Sequence, residues 1–383
     1  MSRPIFRVIA FAIALRLVTA ALALVTNVVF PDAEREQFTV YRRTNVFWDT
    51  FARNDSGWYR GIAQDGYRYV EGGRNNLAFF PVYPLTMRYV GELLGGRQEH
   101  YYHAGVLISW TAFVVAMVLL YKLARLDLNE DGAERAVWYA GVFPFAFFYG
   151  VVYSESLFLM FMVAAMLGFR QGRWGLSAVA GALAVSTRVN GIMAGPAFAY
   201  LAWRVVRERG YSRRELLGAS AALAGVVLGL ATYCYYVYTL SGSPFEWMES
   251  IRRWNYHPGG APWTSLVVMG HALITRPIQY LSTEHMAPYD TLNGLAATVV
   301  TASIPFVGSR LGLGYALFML CNLALPLSSH SLEGLGRYCT VLFPFYLWLA
   351  SFKSPLVHSS TLIIFSMFYV LCLALFANIH PLL

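Results

Sequence analysis

The sequence is organised around residues 47–84, FWDTFARNDSGWYRGIAQDGYRYVEGGRNNLAFFPVYP, which form a polar stretch in an otherwise apolar chain. Before position 72 this stretch contains seven Asp, Glu and Arg residues. Three of them are the aspartates Asp49, Asp55 and Asp65, which lie among Trp, Tyr and Arg. Such a stretch is either a solvated connection or the part of the protein that carries chemistry. The segments on both sides favour the second interpretation.

Those flanking segments are typical of a polytopic membrane protein. The 383 residues are 57% hydrophobic and 13% charged, whereas soluble domains are about 25% charged. A membrane-spanning helix needs about 20 mostly apolar residues. Residues 1–30 predict an uncleaved first span, because their apolar run is longer than the core of a signal peptide. The pattern predicts ten further spans at about 101–124, 136–152, 154–170, 174–190, 191–203, 216–240, 290–308, 311–327, 338–352 and 359–378.

We therefore expect one all-α membrane domain over residues 1–383, with about eleven transmembrane helices and two large outer loops. The first loop covers residues 31–100. Within it, residues 77–94 contain two prolines and several charges, which favour a helix lying at the membrane interface over a clean span. The second loop covers residues 241–289 and is rich in Trp, Tyr, His, Pro and Gly. This composition is typical of a structured loop that covers a cavity.

The charge distribution follows from this topology when the N-terminus is placed inside. The inner loops then carry 14 basic and six acidic residues, whereas the outer loops carry 13 basic and 14 acidic residues. The basic excess therefore lies on one side, as the positive-inside rule requires. The formal net charge of +8 needs no nucleic-acid partner. Arg16 lies within the first span, where a charge faces protein, a polar cavity or the nearer membrane surface.

The same topology places several ionisable residues at the outer face. Asp49 and Asp55 lie in the first loop, and Glu155 begins a span. Arg188 and Arg337 lie near the outer ends of two others. Charges at membrane depth are costly and usually mark a function or a specific partner. The second loop adds His257.

One reaction class suits such a group of residues. A sugar on a lipid phosphate has a good leaving group, and arginine stabilises a departing phosphate with planar, paired hydrogen bonds. The attacking hydroxyl needs one positioned carboxylate as general base. The donor arrives in the membrane, so no nucleotide-binding domain is needed, and Gly-rich phosphate loops are absent from the sequence.

Each residue also has a structural interpretation. An aspartate in a long loop can be a helix cap, and the arginines can be topology anchors or members of structural ion pairs. His100 and His103 are spaced by three residues, but two histidines without a third ligand make a weak metal site. We predict no metal site and no required cofactor.

Several motifs resemble PIG-V-type mannosyltransferases, which are enzymes like GPI mannosyltransferase 2 in the GT-C superfamily. The first loop supplies Arg53-Asn54-Asp55-Ser56 and, further on, FFPVYP at 79–84. Other matches follow in the expected order. They are Phe143-Pro144, Phe147-Phe148, Tyr153-Ser154-Glu155-Ser156-Leu157-Phe158, Thr187-Arg188, Arg337-Tyr338 and Phe343-Pro344.

The resemblance implies a GT-C fold, a polyprenyl- or dolichyl-phosphate-mannose donor, inversion at the anomeric carbon and a catalytic aspartate in the first outer loop. That aspartate falls on Asp55. The family usually shows Arg-Trp-Asp, whereas here Asn54 replaces the tryptophan. A Trp-Asp pair occurs six residues earlier, at Trp48-Asp49, so Asp49 remains the alternative base.

We therefore expect Arg337 and Arg188 to hold the donor phosphate. Around them, we expect a sugar and acceptor pocket. Its predicted residues are Arg53, Trp58, Tyr59, Tyr153, Glu155, Tyr338 and His257.

The expected partners are the lipid bilayer, the lipid-linked donor and a glycolipid, glycan or protein acceptor. The active site is expected on the extracytoplasmic side, of the inner membrane in a bacterium or of the endoplasmic reticulum in a eukaryote. The alternative functions are a transporter or flippase of lipid-linked saccharides and a non-catalytic membrane partner of such an enzyme. Transporters commonly show internal repeats, and the sequence shows none.

Overall fold

The computed structural model describes residues 3–30, 33, 45–209, 212–254, 256–257 and 259–382. Residues 31–32 and 34–44, which open the predicted first loop, lie outside this range. The described residues form α-helices and short 3-10 segments, with no β-strand among them. The helices are α1 (Arg3–Val29), α2 (Val46–Asp49), α3 (Ser56–Asp65), α4 (Val82–Leu93), α5 (Gln98–Ala124), α6 (Glu130–Val142), α7 (Glu155–Arg170), α8 (Trp174–Thr187), α9 (Gly195–Arg209), α10 (Arg213–Ser241), α11 (Glu246–Arg252), α12 (Thr264–Thr275), α13 (Pro277–Thr283), α14 (Ala287–Leu311), α15 (Leu313–Leu327), α16 (Leu335–Thr340), α17 (Phe343–Ala350) and α18 (Pro355–Ala377).

Five helices in the described ranges are long and apolar enough to cross a membrane: α1, α5, α10, α14 and α18. Several other predicted spans are broken. The 136–152 segment is divided into α6 and a 3-10 turn at Ala146–Gly150. The residue before a proline is pushed out of the helical region, and Phe143 before Pro144 is extended (φ −54°, ψ 143°). Predicted span 338–352 is likewise divided between α16 and α17. The total of about eleven spans stays a prediction.

The broken segments place polar residues near the middle of the helix bundle, measured along α5. Helix α5 packs against α1, α4, α6 and α7. Ser109, the twelfth residue of α5, donates a hydrogen bond from Oγ to the Tyr153 carbonyl at 3.1 Å. With a rise of 1.5 Å per residue, this contact lies about 16 Å along α5 from its start. The turn between α6 and α7 is therefore deep in the bundle.

The first loop reaches down to this turn. The Val152 amide donates to the Phe51 carbonyl at 2.9 Å, and Ser56 Oγ donates to the Val152 carbonyl at 3.1 Å. In the predicted interfacial segment 77–94, α4 buries Tyr83 and Met87 and exposes Leu85, Tyr89 and Leu93. An apolar outer face of this kind fits a helix in contact with lipid. The loop thus places its own residues inside the bundle.

Buried apolar side chains also join the two large loops. Leu77 and Phe80 of the first loop pack with Trp247 of the second, against Tyr233 and Val237 of α10. The Tyr233 hydroxyl donates to the Leu77 carbonyl at 2.7 Å. The second loop contains α11, α12 and α13, so much of it is helical. Its role as a cover over a cavity stays a prediction.

Arg16 faces protein. Its side chain is 1% exposed and lies over the ring of Phe113 at 4.2 Å. Its guanidinium donates to the Tyr369 hydroxyl at 3.2 Å and to the Ala146 carbonyl at 3.4 Å. These contacts anchor α1 to the 3-10 segment that leads into the α6–α7 turn.

Candidate active site

Asp55 lies at the junction between the loop and α3, where the backbone makes a sharp turn. Asn54 has a φ of 48°, in the left-handed region that asparagine tolerates better than most residues. Asp55 occupies the position before the first turn of α3 but makes no side-chain capping bond. Its Oδ2 instead accepts a hydrogen bond from Arg337 Nη1 at 2.9 Å. The interpretation of Asp55 as a helix cap is therefore wrong.

Arg337 is linked to a second carboxylate. Its Nε donates to Glu155 Oε1 at 3.0 Å, and the same oxygen accepts a hydrogen bond from Arg188 Nη1. Glu155 is the first residue of α7, where the helix dipole favours a negative charge. The result is a chain of four charged residues, Asp55–Arg337–Glu155–Arg188, drawn from four distant parts of the sequence.

Within this chain, Glu155 is the least exposed residue and Asp55 the most exposed. The side chain of Glu155 is 0% exposed and that of Arg188 is 9% exposed. The values are 14% for Arg337 and 25% for Asp55. Asp55 is therefore the carboxylate that a substrate can reach, whereas Glu155 lies beneath the two arginines. This placement favours a role for Glu155 in orienting the arginines over the predicted role in the sugar pocket.

Aromatic rings surround the two arginines. The Arg337 guanidinium lies 4.8 Å from the ring centre of Tyr153 and 5.3 Å from that of Phe148. The guanidinium of Arg188 lies 5.7 Å from the ring centre of Tyr338. Cation–π contacts at such distances stabilise a partly desolvated cation. The sequence placed Phe148 in a family motif but did not predict its place at the site.

Two tyrosines connect Asp55 with the α6–α7 turn. The Tyr153 hydroxyl accepts a hydrogen bond from the Asp55 amide at 3.3 Å and donates to the Arg53 carbonyl at 3.3 Å. The Tyr59 hydroxyl is hydrogen-bonded to Ser154 Oγ at 2.9 Å. Burial raises the pKa of Tyr59, so its hydroxyl stays protonated at neutral pH. Both predicted tyrosines thus lie at the site as neutral hydrogen-bonding groups.

Trp58 belongs to an aromatic group that the second loop completes. Its ring stacks on Phe79, with centres 5.9 Å apart and an angle of 12° between the planes. Trp254 meets Trp58 edge-on at 5.0 Å. Arg253 binds Glu246 at 2.6 Å and the Gly73 carbonyl at 3.2 Å, which fixes the second loop against the first.

The predicted His257 lies further along the second loop and is exposed. Its neighbour Tyr256 lies against Tyr338, and burial raises the pKa of Tyr256. The second loop therefore reaches the site through Tyr256 and Trp254, which the sequence did not single out. Their only sequence signal was the aromatic content of residues 241–289.

Asp49 and Arg53 form a separate ion pair. Asp49 Oδ2 lies 2.5 Å from Arg53 Nη1, and the side chains are 5% and 0% exposed. Arg53 Nη2 also donates to the Ala377 carbonyl at the end of α18, at 3.1 Å. Both side chains are enclosed, so this placement supports neither Asp49 as the base nor Arg53 as a pocket residue. This placement favours Asp55 over Asp49 as the general base.

Glu333 is a further carboxylate near the site that the sequence did not single out. It lies in the segment before α16, and the residue as a whole is exposed. Burial of its carboxyl group, together with the negative charges of Asp290 and Asp55, raises the pKa of Glu333. Glu333 thus lies close enough to Asp55 to interact with it electrostatically.

The arrangement can bind an anion and accept a proton. Arg188 and Arg337 share the carboxylate of Glu155, and Asp55, the more accessible carboxylate of the four-residue chain, contacts Arg337. Within the described ranges, no three His, Cys, Asp or Glu side chains come together in a group that could hold a metal ion. The absence of a metal site from the protein stays a prediction.

Known proteins resemble this chain in sequence. A family model described as mannosyltransferase (PIG-V) matches residues 5–239. GPI alpha-1,6-mannosyltransferase 2 from Cricetulus griseus is 29% identical over 205 residues, which cover 49% of this chain and 40% of that protein. GPI mannosyltransferase 2 from Drosophila melanogaster is 25% identical over 267 residues, which cover 61% and 57%. The chain thus spans about half the length of these relatives or less.

The fold also matches a solved structure. ArnT from Cupriavidus metallidurans, bound to undecaprenyl phosphate, superposes with a TM-score of 0.54 at 14% identity, over 92% of this chain and 62% of that one. This likeness concerns the fold alone, and it confirms the predicted GT-C fold. The family match contains Asp55, Glu155 and Arg188, whereas Arg337 lies beyond it.

Proposed function

The chain belongs to the mannosyltransferase (PIG-V) family, and we propose that it transfers a sugar, with mannose expected, from a polyprenyl-phosphate-linked donor to an acceptor hydroxyl. The observation that carries this proposal is the contact between a partly open carboxylate and an arginine in a chain of four charges. Asp55 meets Arg337 at 2.9 Å, and Arg337 shares Glu155 with Arg188. A base and an anion-binding pair thus lie side by side.

The donor phosphate would bind at Arg337 and Arg188. Guanidinium groups stay charged at all relevant pH values and bind phosphate with directed hydrogen bonds. Glu155 neutralises part of their charge from below and fixes their orientation. An arriving phosphate competes with Asp55 for Arg337 Nη1, so donor binding would release the Asp55 carboxylate for the acceptor.

Asp55 would then act as general base. It takes the proton from the acceptor hydroxyl while that oxygen attacks the anomeric carbon. The bond from the anomeric carbon to the phosphate oxygen breaks, and its electron pair leaves on the phosphate. A single displacement of this kind inverts the anomeric carbon, and it needs one carboxylate where a retaining glycosidase uses two. For the acceptor, we propose only its chemical class, which is a glycolipid, a glycan or a protein.

The proposal places the reaction on the extracytoplasmic side. Two features support this placement: the basic excess of the loops at the opposite end of the bundle, and the origin of Asp55 in the first large loop. The membrane would be the inner membrane of a bacterium or the endoplasmic reticulum of a eukaryote.

Product formation by the purified protein tests the function. The protein is incubated with polyprenyl-phosphate-mannose and a panel of glycolipid, free glycan and peptide acceptors, and mass spectrometry follows the gain of one hexose. We expect one acceptor class to gain the hexose as the donor is converted to polyprenyl phosphate. Movement of intact donor across proteoliposome membranes, with no hexose gained by any acceptor, would contradict the enzyme and support a flippase.

A further inference from the structure

A cavity of about 290 Å³ lies at the end of the bundle opposite Asp55. It is formed by the ends of α7 and α9 and by the junction of α14 and α15. Its inner wall is apolar and includes Met166, Phe169 and Leu201, whereas charged side chains line its other parts. The volume is at the lower end of the range for small-molecule sites. The proposed transferase reaction uses none of these residues.

The charged lining consists of two ion pairs. Arg170 binds both carboxylate oxygens of Asp127 at 2.9 Å and the Tyr315 hydroxyl at 2.8 Å. Those three groups satisfy one another and form a neutral wall. The second pair is Arg204 and Glu208, joined by one hydrogen bond from Nε to Oε1 at 2.6 Å.

This second pair is more open than the first. The side chains of Arg204 and Glu208 are 47% and 57% exposed, whereas those of Arg170 and Asp127 are 27% and 18% exposed. The cavity thus presents an adjacent cation and anion at its open side. Such a pair is unsuited to a purely anionic ligand, because Glu208 would repel it, but it fits a ligand that carries both charges.

Two glycines line the cavity next to Arg204 and Leu201. Gly312 joins α14 to α15 with a φ of 108°, and a Cβ atom there would lie 3.8 Å from Arg204 Nη1. At Gly314 a Cβ atom would lie 2.7 Å from Leu201 Cδ2. A side chain at position 314 would therefore crowd the apolar side of the cavity, whereas at position 312 it is the positive φ that favours glycine.

Neighbouring residues place the cavity at the level of the membrane surface. Trp203, one residue before Arg204, is 54% exposed and packs on Tyr200 with ring centres 5.8 Å apart. Trp and Tyr concentrate at the boundary between lipid and water. Basic pockets between transmembrane helices bind lipid headgroups. The cavity thus has an open charged side and an apolar inner wall, and it lies at the level of the membrane surface. These three features fit an amphiphilic ligand.

We propose that this cavity binds the headgroup of a membrane glycerophospholipid that carries both a phosphate and an ammonium group. The phosphate faces Arg204, the ammonium faces Glu208, and the glycerol and first acyl carbons lie against Met166, Phe169 and Leu201. This site is distinct from the proposed donor site, and it stands whether or not the chain transfers a sugar.

Native mass spectrometry of the delipidated full chain tests the proposal. Phosphatidylethanolamine, phosphatidylglycerol and free phosphoethanolamine are each titrated, and bound ligand is counted per protein. We expect phosphatidylethanolamine to bind at least about fivefold more tightly than phosphatidylglycerol, and free phosphoethanolamine to bind far more weakly than the lipid. Equal affinity for the two lipids would overturn the zwitterionic headgroup. Equal affinity for phosphoethanolamine would overturn the membrane lipid as ligand.

Variants locate the binding. Arg204→Gln removes one charge-assisted contact and should weaken phosphatidylethanolamine binding about tenfold. Arg207→Gln is the matched control, because Arg207 lies on the same helix over the Trp203 ring at 5.2 Å and should change binding less than twofold. Glu208→Gln should abolish the preference for phosphatidylethanolamine. Equal losses in the Arg204 and Arg207 variants, both folded by gel filtration, would overturn the site.

Discussion

Two aspartates six residues apart in the same loop have opposite environments. Asp49 is enclosed with Arg53, and the two side chains are 5% and 0% exposed. Asp55 also contacts an arginine, but its side chain is 25% exposed and its partner Arg337 comes from a segment near the other end of the chain. The enclosed Asp49–Arg53 pair is out of reach of a substrate. In the more open Asp55–Arg337 pair, a substrate can replace one of the two partners. The surroundings of each aspartate therefore indicate whether its role is structural or chemical.

The largest effect is expected on turnover in Asp55→Asn. Loss of a general base should lower kcat by about 10² to 10⁴. Donor affinity should be unchanged or higher, because the ion pair that competes with the donor phosphate for Arg337 is gone. Measuring kcat and donor affinity separately checks this prediction. Asp65→Asn, at an exposed position on α3, is the matched control and should keep full activity.

Asp49→Asn should act on stability. Removing one partner of a buried ion pair costs about 3 to 5 kcal/mol. We expect a clearly lower Tm in a thermal unfolding experiment, with activity per folded molecule kept within tenfold. An unchanged Tm would show that Arg53 does not depend on Asp49.

Arg337→Ala should weaken donor binding about 10- to 100-fold, since hydrogen bonds to charged groups contribute about 1.5 to 3 kcal/mol. Arg337→Lys keeps the charge but loses the paired geometry, so it should recover part of the affinity. Isothermal titration with a polyprenyl-phosphate analogue measures both variants. Unchanged affinity in Arg337→Ala would remove this residue from the phosphate site.

Asn54 tests the turn that separates the two aspartates. A β-branched residue is strained at a φ of 48°, so Asn54→Val should cost about 1 to 3 kcal/mol and should displace Asp55. Asn54→Gly, which adopts this conformation freely, is the control and should be nearly neutral. If both variants melt at the wild-type temperature, the left-handed turn does not constrain Asp55.

Glu333 gives the smallest expected effect, through pH. Because burial and nearby negative charges raise the pKa of Glu333 in the folded protein, the folded state holds this proton more tightly than the unfolded state. Its stabilising contribution is full below the ordinary glutamate pKa of about 4.3 and is lost as pH rises through the folded pKa. Between pH 4 and 7, wild type should lose about 1 °C of Tm relative to Glu333→Gln. Parallel Tm curves for the two proteins would contradict this.

The sequence predicted the membrane class and the helical fold, and it predicted that Asp55, Glu155, Arg188 and Arg337 lie at one end of the bundle, where the structure joins them. That this end is the outer face stays a prediction. Apolar runs and the positive-inside rule depend on local composition, which a single sequence contains. The motifs pointed to the same residues without giving their contacts. The resemblance alone implied the donor class and the catalytic role, and both remain proposals.

The rest depended on long-range packing. No local pattern showed that Asp49 pairs with Arg53 over the end of α18, or that Glu155 lies beneath two arginines. Asn54 departs from the family motif, and its positive φ supplies a physical reason for asparagine there. Trp254 and Tyr256 meet the site only because the second loop packs on the first.

The most direct test of this account compares Asp55→Asn and Asp49→Asn in one transferase assay, with each rate normalised to folded protein. The account predicts that the Asp55 variant retains less than about one tenth of the activity of the Asp49 variant, although the Asp49 variant is the less stable of the two. Equal rates, or an inactive Asp49 variant beside an active Asp55 variant, would contradict it.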